Sequence, residues 1–269
     1  MYFNHRILQE AERTDIPALQ RLSFLGIYSN NLDEFFRVRM ATISRIANIN
    51  SKSMRSQRER ARELFGRLSE IDGSYSHEYE EAVKRVTAEL SAEGIDILQP
   101  QDLNEEQLHY VKCKFRSDIS GFVAPLWVSK LEGFARESDD RIYLAVQLEG
   151  PELKTDYALI ELPTATCGRF VVLPDAKDRK CVMYLDDVIR MALPMIFPGM
   201  GYTSFQAWSF KFTKDAEMEI DDDLHVGPLE KVAKAVKSRK KGATLRVIYD
   251  QQMPEPLLNT LMGKLKLDK

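Results

Sequence analysis

Two adjacent asparagines, Asn30 and Asn31, and three arginines close behind them, Arg37, Arg39 and Arg45, are the residues best suited to chemistry in this sequence. A side-chain amide offers two donors and an acceptor, which suits the polar edge of a nucleobase while a ring covers its face. On a helix, Asn31 shares a stripe with Phe24, Tyr28, Phe35 and Val38, whereas Asn30 shares a polar line with Ser23, Gly26, Asp33 and Arg37. The two amides are therefore not equivalent. Two readings of Asn31 stand open: a ligand contact, or a buried amide bonded to a neighbouring helix. Arginine suits phosphate because its planar fork donates two parallel bonds. Arg37 is expected to pair with Asp33 one turn earlier. Arg39 interrupts an apolar seam and is expected to be buried with a partner the sequence does not identify.

Other candidate groups are less specific. Asp221, Asp222 and Asp223 suit a hard cation by type, but three consecutive residues cannot face one ion on a regular element, and N-capping of a helix explains them. The run Ser238–Gly242 (SRKKG) fits the cationic, glycine-stopped end of that helix, or a contact with a polyanion. His5, His77, His109 and His225 are scattered, without metal-ligand spacing or a nucleophile relay. Neither a G-x-x-x-x-G-K-[ST] phosphate loop nor a G-x-G-x-x-G fingerprint occurs, so no self-sufficient phosphotransfer site can be read and no catalytic residue is assigned.

The elements that position these groups come from periodicity. A short helix is expected over Phe3–Arg13 with Ile7, Leu8 and Ala11 inward. A long one over Pro17–Ile46 is capped by Asp15, with Pro17 just inside and Leu22, Leu25, Leu32, Phe36 and Ile43 along its seam. A third helix, Gln57–Ala92, carries Leu64, Leu68, Ile71, Tyr75, Tyr79, Val83, Val86 and Leu90 on one face. These predict an antiparallel three-helix bundle over 1–94. Past Gly94 the pattern changes. An apolar run Ile95–Leu98 and an Asn104-capped helix to about Ser117 precede strands at IYLAVQL, YALIEL and RFVVLP. A helix over Asp186–Met195 is capped by Asp186 or Asp187. Strands follow at Ser204–Thr213 and LRVIY, and a last helix opens at Pro254 and Pro256. The second domain, 95–269, is read as α+β with a mixed sheet, and the whole as multidomain α and α+β.

With 269 residues, 29% charged and 44% hydrophobic, the chain can bury a full core. A net charge of −3 supplies no global attraction to nucleic acid or anionic membranes. No apolar run approaches the ~20 residues of a membrane span, and the N-terminus has no secretory h-region. Cys113, Cys167 and Cys181 lack C-x-x-C spacing and read as reduced thiols of a cytoplasmic protein.

The string FLGIYSNNLDEFFRVRM, Phe24–Met40, resembles the N-terminal signature of the polyphosphate kinases of the phospho-histidine type. FNHRILQEAE from Phe3 and FKFTKDAEMEI from Phe210 resemble flanking segments of the same family, in the same order. The resemblance implies an N-terminal helical domain followed by a head domain that mediates homodimerisation. It implies a whole enzyme that transfers the terminal phosphate of ATP reversibly to polyphosphate, with magnesium, through a phosphorylated histidine. By the same resemblance, Asn31 contacts ATP. The histidine and the magnesium ligands belong to C-terminal domains outside these 269 residues, so the chain alone is expected to be inactive. The family leaves room for peripheral membrane association of the full enzyme. The alternative is a non-catalytic helical and α+β interaction module in which Asn31 is purely structural.

Overall fold

A computed structural model describes residues 1–49, 53–131, 141–214 and 244–265, and the expectations for 221–223 and 238–242 lie outside these. The chain divides into two compact units. The described residues of unit one are 1–49, 53–90, 212–214 and 244–246, and those of unit two are 91–131, 141–211 and 247–265.

Unit one is helical. α1 (Tyr2–Glu12) packs on α2 (Ala18–Phe35), a π turn at Phe36–Met40 leads into α3 (Ala41–Asn48), and α4 (Arg55–Ala92) returns antiparallel. α1 buries Leu8 and Ala11 as expected, and Asn4 with them. Asp15 does not cap α2. Arg13 takes its carboxylate through two bonds of 3.0 and 2.6 Å, and Pro17 becomes the N-cap, its carbonyl accepting from Gln20 and Arg21. Charge-assisted paired bonds hold the carboxylate more strongly than a backbone N–H would. Arg21, unremarked in the sequence, is buried; it donates to the Ala11 carbonyl at 2.7 Å and pairs with Glu89. His5 stacks on Tyr75 at 4.2 Å and meets Glu78 at 2.9 Å, fixing α1 against α4.

The π turn corrects the reading of Arg39. A π turn accommodates one residue more than an α turn, which shifts the phase of everything after it. Met40 and Ala41 fall inside, and Arg39 is exposed. On α4 the apolar face is buried at Ala61, Ala82, Val86 and Leu90, whereas Leu64 and Ile71 remain exposed. The spacing correctly marks a face, but periodicity does not say how far along the helix that face is covered.

Unit two is α+β. β1 (Ile95–Leu98), β5 (Phe170–Ala176) and β6 (Arg179–Tyr184) form a mixed sheet in the order β1-β6-β5, with β1 parallel and β5 antiparallel to β6. A second sheet has the order β2-β4-β3-β7-β8. It is built from Pro125–Trp127, Leu153–Glu161, Ile142–Gly150, Ser204–Lys214 and Thr244–Tyr249, and the first residues of β8, through Arg246, belong to unit one. α5 (Glu105–Lys114) carries the expected cap: Asn104 and Gln107 exchange side-chain-to-backbone bonds of 2.8 and 3.2 Å. The short α6 (Thr164–Cys167), α7 (Leu185–Ile196) and α8 (Glu255–Leu265) complete the unit. Leu144, Val146 and Ile160 pack against Val188, Ile189 and Leu193 of α7 to form its core.

Two details depart from expectation. β6 was not anticipated, because its hairpin turn uses Lys177 and Asp178 at φ 52° and 62° rather than the usual glycine or asparagine. α7 begins at Leu185, with Tyr184 as its N-cap. Asp186 is instead buried in a 2.6 Å pair with Arg169, and Asp187 meets Arg190 at 2.6 Å. Phe210 of β7 is buried and Phe205 packs on the core, while Trp208 keeps partial exposure. At the start of the unit, Arg179 grips the Asp96 carboxylate with bonds of 2.5 and 2.6 Å and also reaches Ser91 at 3.0 Å. Arg179, with help from Ser91, holds the Asp96 pKa down at about 2.

Candidate functional site

The centre of α2 lies against α4 within unit one, and the groups of interest gather there. Tyr28 stacks on Tyr79 at 5.2 Å with the rings 22° from parallel. The Tyr28 hydroxyl is buried without a hydrogen-bond partner among the described residues, and burial pushes its pKa up to about 12. It therefore stays a neutral phenol. Asn31, one turn further along, is half-buried, while Asn30 is exposed. The inequality expected from spacing is present.

Asp33 departs from its assigned polar line: it is buried, with Arg246 Nη1 at 3.7 Å. Arg246 Nη2 also reaches the Asp72 carboxylate at 3.2 Å, and its guanidinium lies 4.6 Å from the centre of the Phe36 ring. One arginine thus serves two acids, one from α2 and one from α4, over an aromatic face. Burial raises the Asp72 pKa above its ordinary value, and the nearby guanidinium opposes that rise. A signal for Asp72 was present in the sequence, since it falls between Leu68 and Tyr75 on the apolar stripe of α4. Nothing in the LRVIY strand marked Arg246.

The arginines diverge. Arg37 lies 3.8 Å from Glu34, Arg45 donates to Thr42 Oγ1 at 3.3 Å, and Arg39 is exposed. The histidines do not converge either: His5 is engaged by Tyr75 and Glu78, His109 sits 3.5 Å from Cys113 on α5, and His77 is exposed. His225 lies outside the described residues. No group of three or more His, Cys, Asp or Glu among the described residues could hold a metal ion, and no described helix is long and apolar enough to cross a membrane. The arrangement places the half-buried Asn31 amide one turn from the Tyr28–Tyr79 stack, and among the described residues it brings no nucleophile to this place.

Comparison with known proteins covers the chain nearly end to end. A model of the polyphosphate kinase N-terminal domain matches residues 1–98, and one of the polyphosphate kinase middle domain matches 106–269. The polyphosphate kinase of Vibrio cholerae is 33% identical over 270 residues, covering 98% of this chain and 38% of the relative. That of Escherichia coli is 30% identical over 274 residues, covering 99% and 39%. The crystal structure of polyphosphate kinase from Porphyromonas gingivalis superposes with a TM-score of 0.76 at 26% identity, over 99% of this chain and 36% of that one. The chain thus spans somewhat more than a third of the length of these proteins.

Proposed function

Because the chain belongs to the polyphosphate kinase family, matching its N-terminal and middle domains, we propose that it supplies the nucleotide-side wall and the self-association surface of a kinase moving the terminal phosphate of ATP reversibly onto polyphosphate. The observation that carries the first part is the placement of Asn31: half-buried, one turn from the stacked Tyr28–Tyr79 pair, on a helix locked through Asp33. Its amide donates to and accepts from a base edge, and the neutral Tyr28 phenol adds no charge against the ligand's phosphates. ATP and ADP are the ligands of this reading. On this reading, the histidine that carries phosphate and the groups that hold magnesium are supplied from outside these 269 residues.

On this reading the isolated 269-residue chain, incubated with γ-labelled ATP, takes up no acid-labile label and makes no polyphosphate. Appearance of such label on the chain overturns the division of labour proposed here.

Self-association is assigned to unit two. β5 is the outermost strand of the mixed sheet, and Val172 stands 66% exposed on it beside the partly exposed Phe170. An edge strand with open hydrogen-bonding groups and an apolar outer face is suited to pairing with a second copy. Sedimentation of the chain at micromolar concentration is expected to show a monomer–dimer equilibrium; a monomer throughout this range removes β5 as an autonomous surface.

A further inference from the structure

Between Arg37 and Arg67 the sequence carries eight arginines against two glutamates, in a chain whose net charge is −3. Arg37 and Arg39 lie on the π turn, Arg45 on α3, and Arg55, Arg58, Arg60, Arg62 and Arg67 on the first half of α4. Arg62 Nε donates to the Ala47 carbonyl at 3.2 Å and Arg58 Nη1 to the Ile49 carbonyl at 3.5 Å, at the C-terminal end of α3. The C-terminal carbonyls of a helix amount to only about half a negative charge, so the two guanidiniums together remain cationic. Arg55 is paired with Glu59 at 3.0 Å, but Arg39, Arg60 and Arg67 are exposed. Arg60 and Arg67 lie two turns apart on one face of α4, roughly 10 Å along its axis.

We propose that this arginine-rich stretch, from the π turn through α3 to the first half of α4, binds linear inorganic polyphosphate, an inference that rests on the kinase reading for its choice of polyanion. Forked guanidiniums spaced along a rod match a chain whose every repeat presents anionic oxygens. Other polyanions fit less well. Single-stranded nucleic acid needs aromatic platforms, and the only ring between 37 and 67 is the half-buried Phe65. A membrane surface needs a continuous apolar face, whereas Leu64 is the one large exposed hydrophobic residue of this stretch among those described. The site holds product or primer by charge and takes no part in bond breaking.

The test titrates fluorescent linear polyphosphate with the 269-residue chain at two salt concentrations. Binding that weakens with salt is expected. The variant R39Q/R60Q/R67Q is expected to lose at least about tenfold in affinity at low salt and to show a shallower salt dependence. The variant K112Q/R116Q/K154Q removes the same charge from exposed positions of unit two and is expected to stay within about twofold of the parent. R39K/R60K/R67K keeps the charge without the fork, guards against misfolding of the glutamine variant, and is expected to bind between the two. Absence of binding, equal loss in both glutamine variants, or equally tight binding of oligothymidylate or phosphatidylserine vesicles at matched phosphate overturns the proposal. None of these measurements involves turnover, so their failure is distinct from failure of the kinase reading.

Discussion

Replacing Arg246 by methionine is expected to lower the stability of the helical unit by about 3–5 kcal/mol, since it strips the shared cation from two buried carboxylates. At roughly 2–4 °C per kcal/mol for a chain of this size, the thermal midpoint falls by about 10 °C. Methionine keeps apolar contact with Phe36, so the loss reports charge more than volume. The pH dependence gives the sign. The Asp72 pKa is already raised in the folded protein by burial, so between the unfolded value and the folded value the native state binds the extra proton more tightly. Stability therefore falls as pH rises through that window. Without Arg246, which opposes the rise, the window widens upward. The deficit of R246M should shrink as pH is lowered from neutrality into the acid range and Asp72 takes up its proton. D72N/R246M should regain part of the loss at neutral pH. A deficit under about 1 kcal/mol, or one indifferent to pH, means that Asp33 and Asp72 are adequately solvated without the arginine.

Asn31→Ala is the second large effect, and it belongs in a full-length kinase carrying this chain. If the amide bonds the bound nucleotide, its removal leaves a desolvated polar edge unpaired. That costs ~1–3 kcal/mol, or roughly a five- to hundred-fold loss in ATP affinity or catalytic efficiency. Asn30→Ala, at the exposed neighbour, should cost much less. A structural asparagine behaves differently, lowering the melting temperature while ATP dependence follows only through instability. Measuring both alanine variants for ATP dependence and thermal stability separates these outcomes. Unchanged ATP dependence in Asn31→Ala, or equal damage from Asn30→Ala at preserved stability, returns Asn31 to ordinary helix packing.

What the sequence made legible follows the range of the forces involved. Helix and strand identity came through where apolar spacing is local: α1, α4, β3, β4, β5 and β7 lie close to where periodicity put them. The cap at Asn104 was legible because both partners sit within one turn. The Asp15 and Asp186 caps misled because each carboxylate is taken by an arginine, Arg13 two residues away and Arg169 seventeen away. A propensity for capping carries no information about such competitors. β6 was hidden by a turn whose left-handed residues are lysine and aspartate. At the candidate site, the inequality of Asn30 and Asn31 was readable from helical phase alone. The Asp33–Arg246 and Asp72–Arg246 pairings were not, because they join positions 213 and 174 residues apart in the chain (246 − 33 and 246 − 72).

The π turn at Phe36–Met40 acts as a phase shifter in an otherwise continuous rod. Upstream of it, the azimuth of Tyr28, Asn31 and Asp33 is fixed by α4 and Arg246; downstream, the azimuth of Arg45 and the carbonyls of Ala47 and Ile49 is fixed by Arg58 and Arg62. One helix therefore carries two facings whose angular offset is set by five residues rather than by the length of the rod. Point substitutions on either side leave that offset alone. A one-residue insertion or deletion inside the turn changes it by about 100° at a stroke, because such an edit alters the gearing between the two facings instead of any single contact.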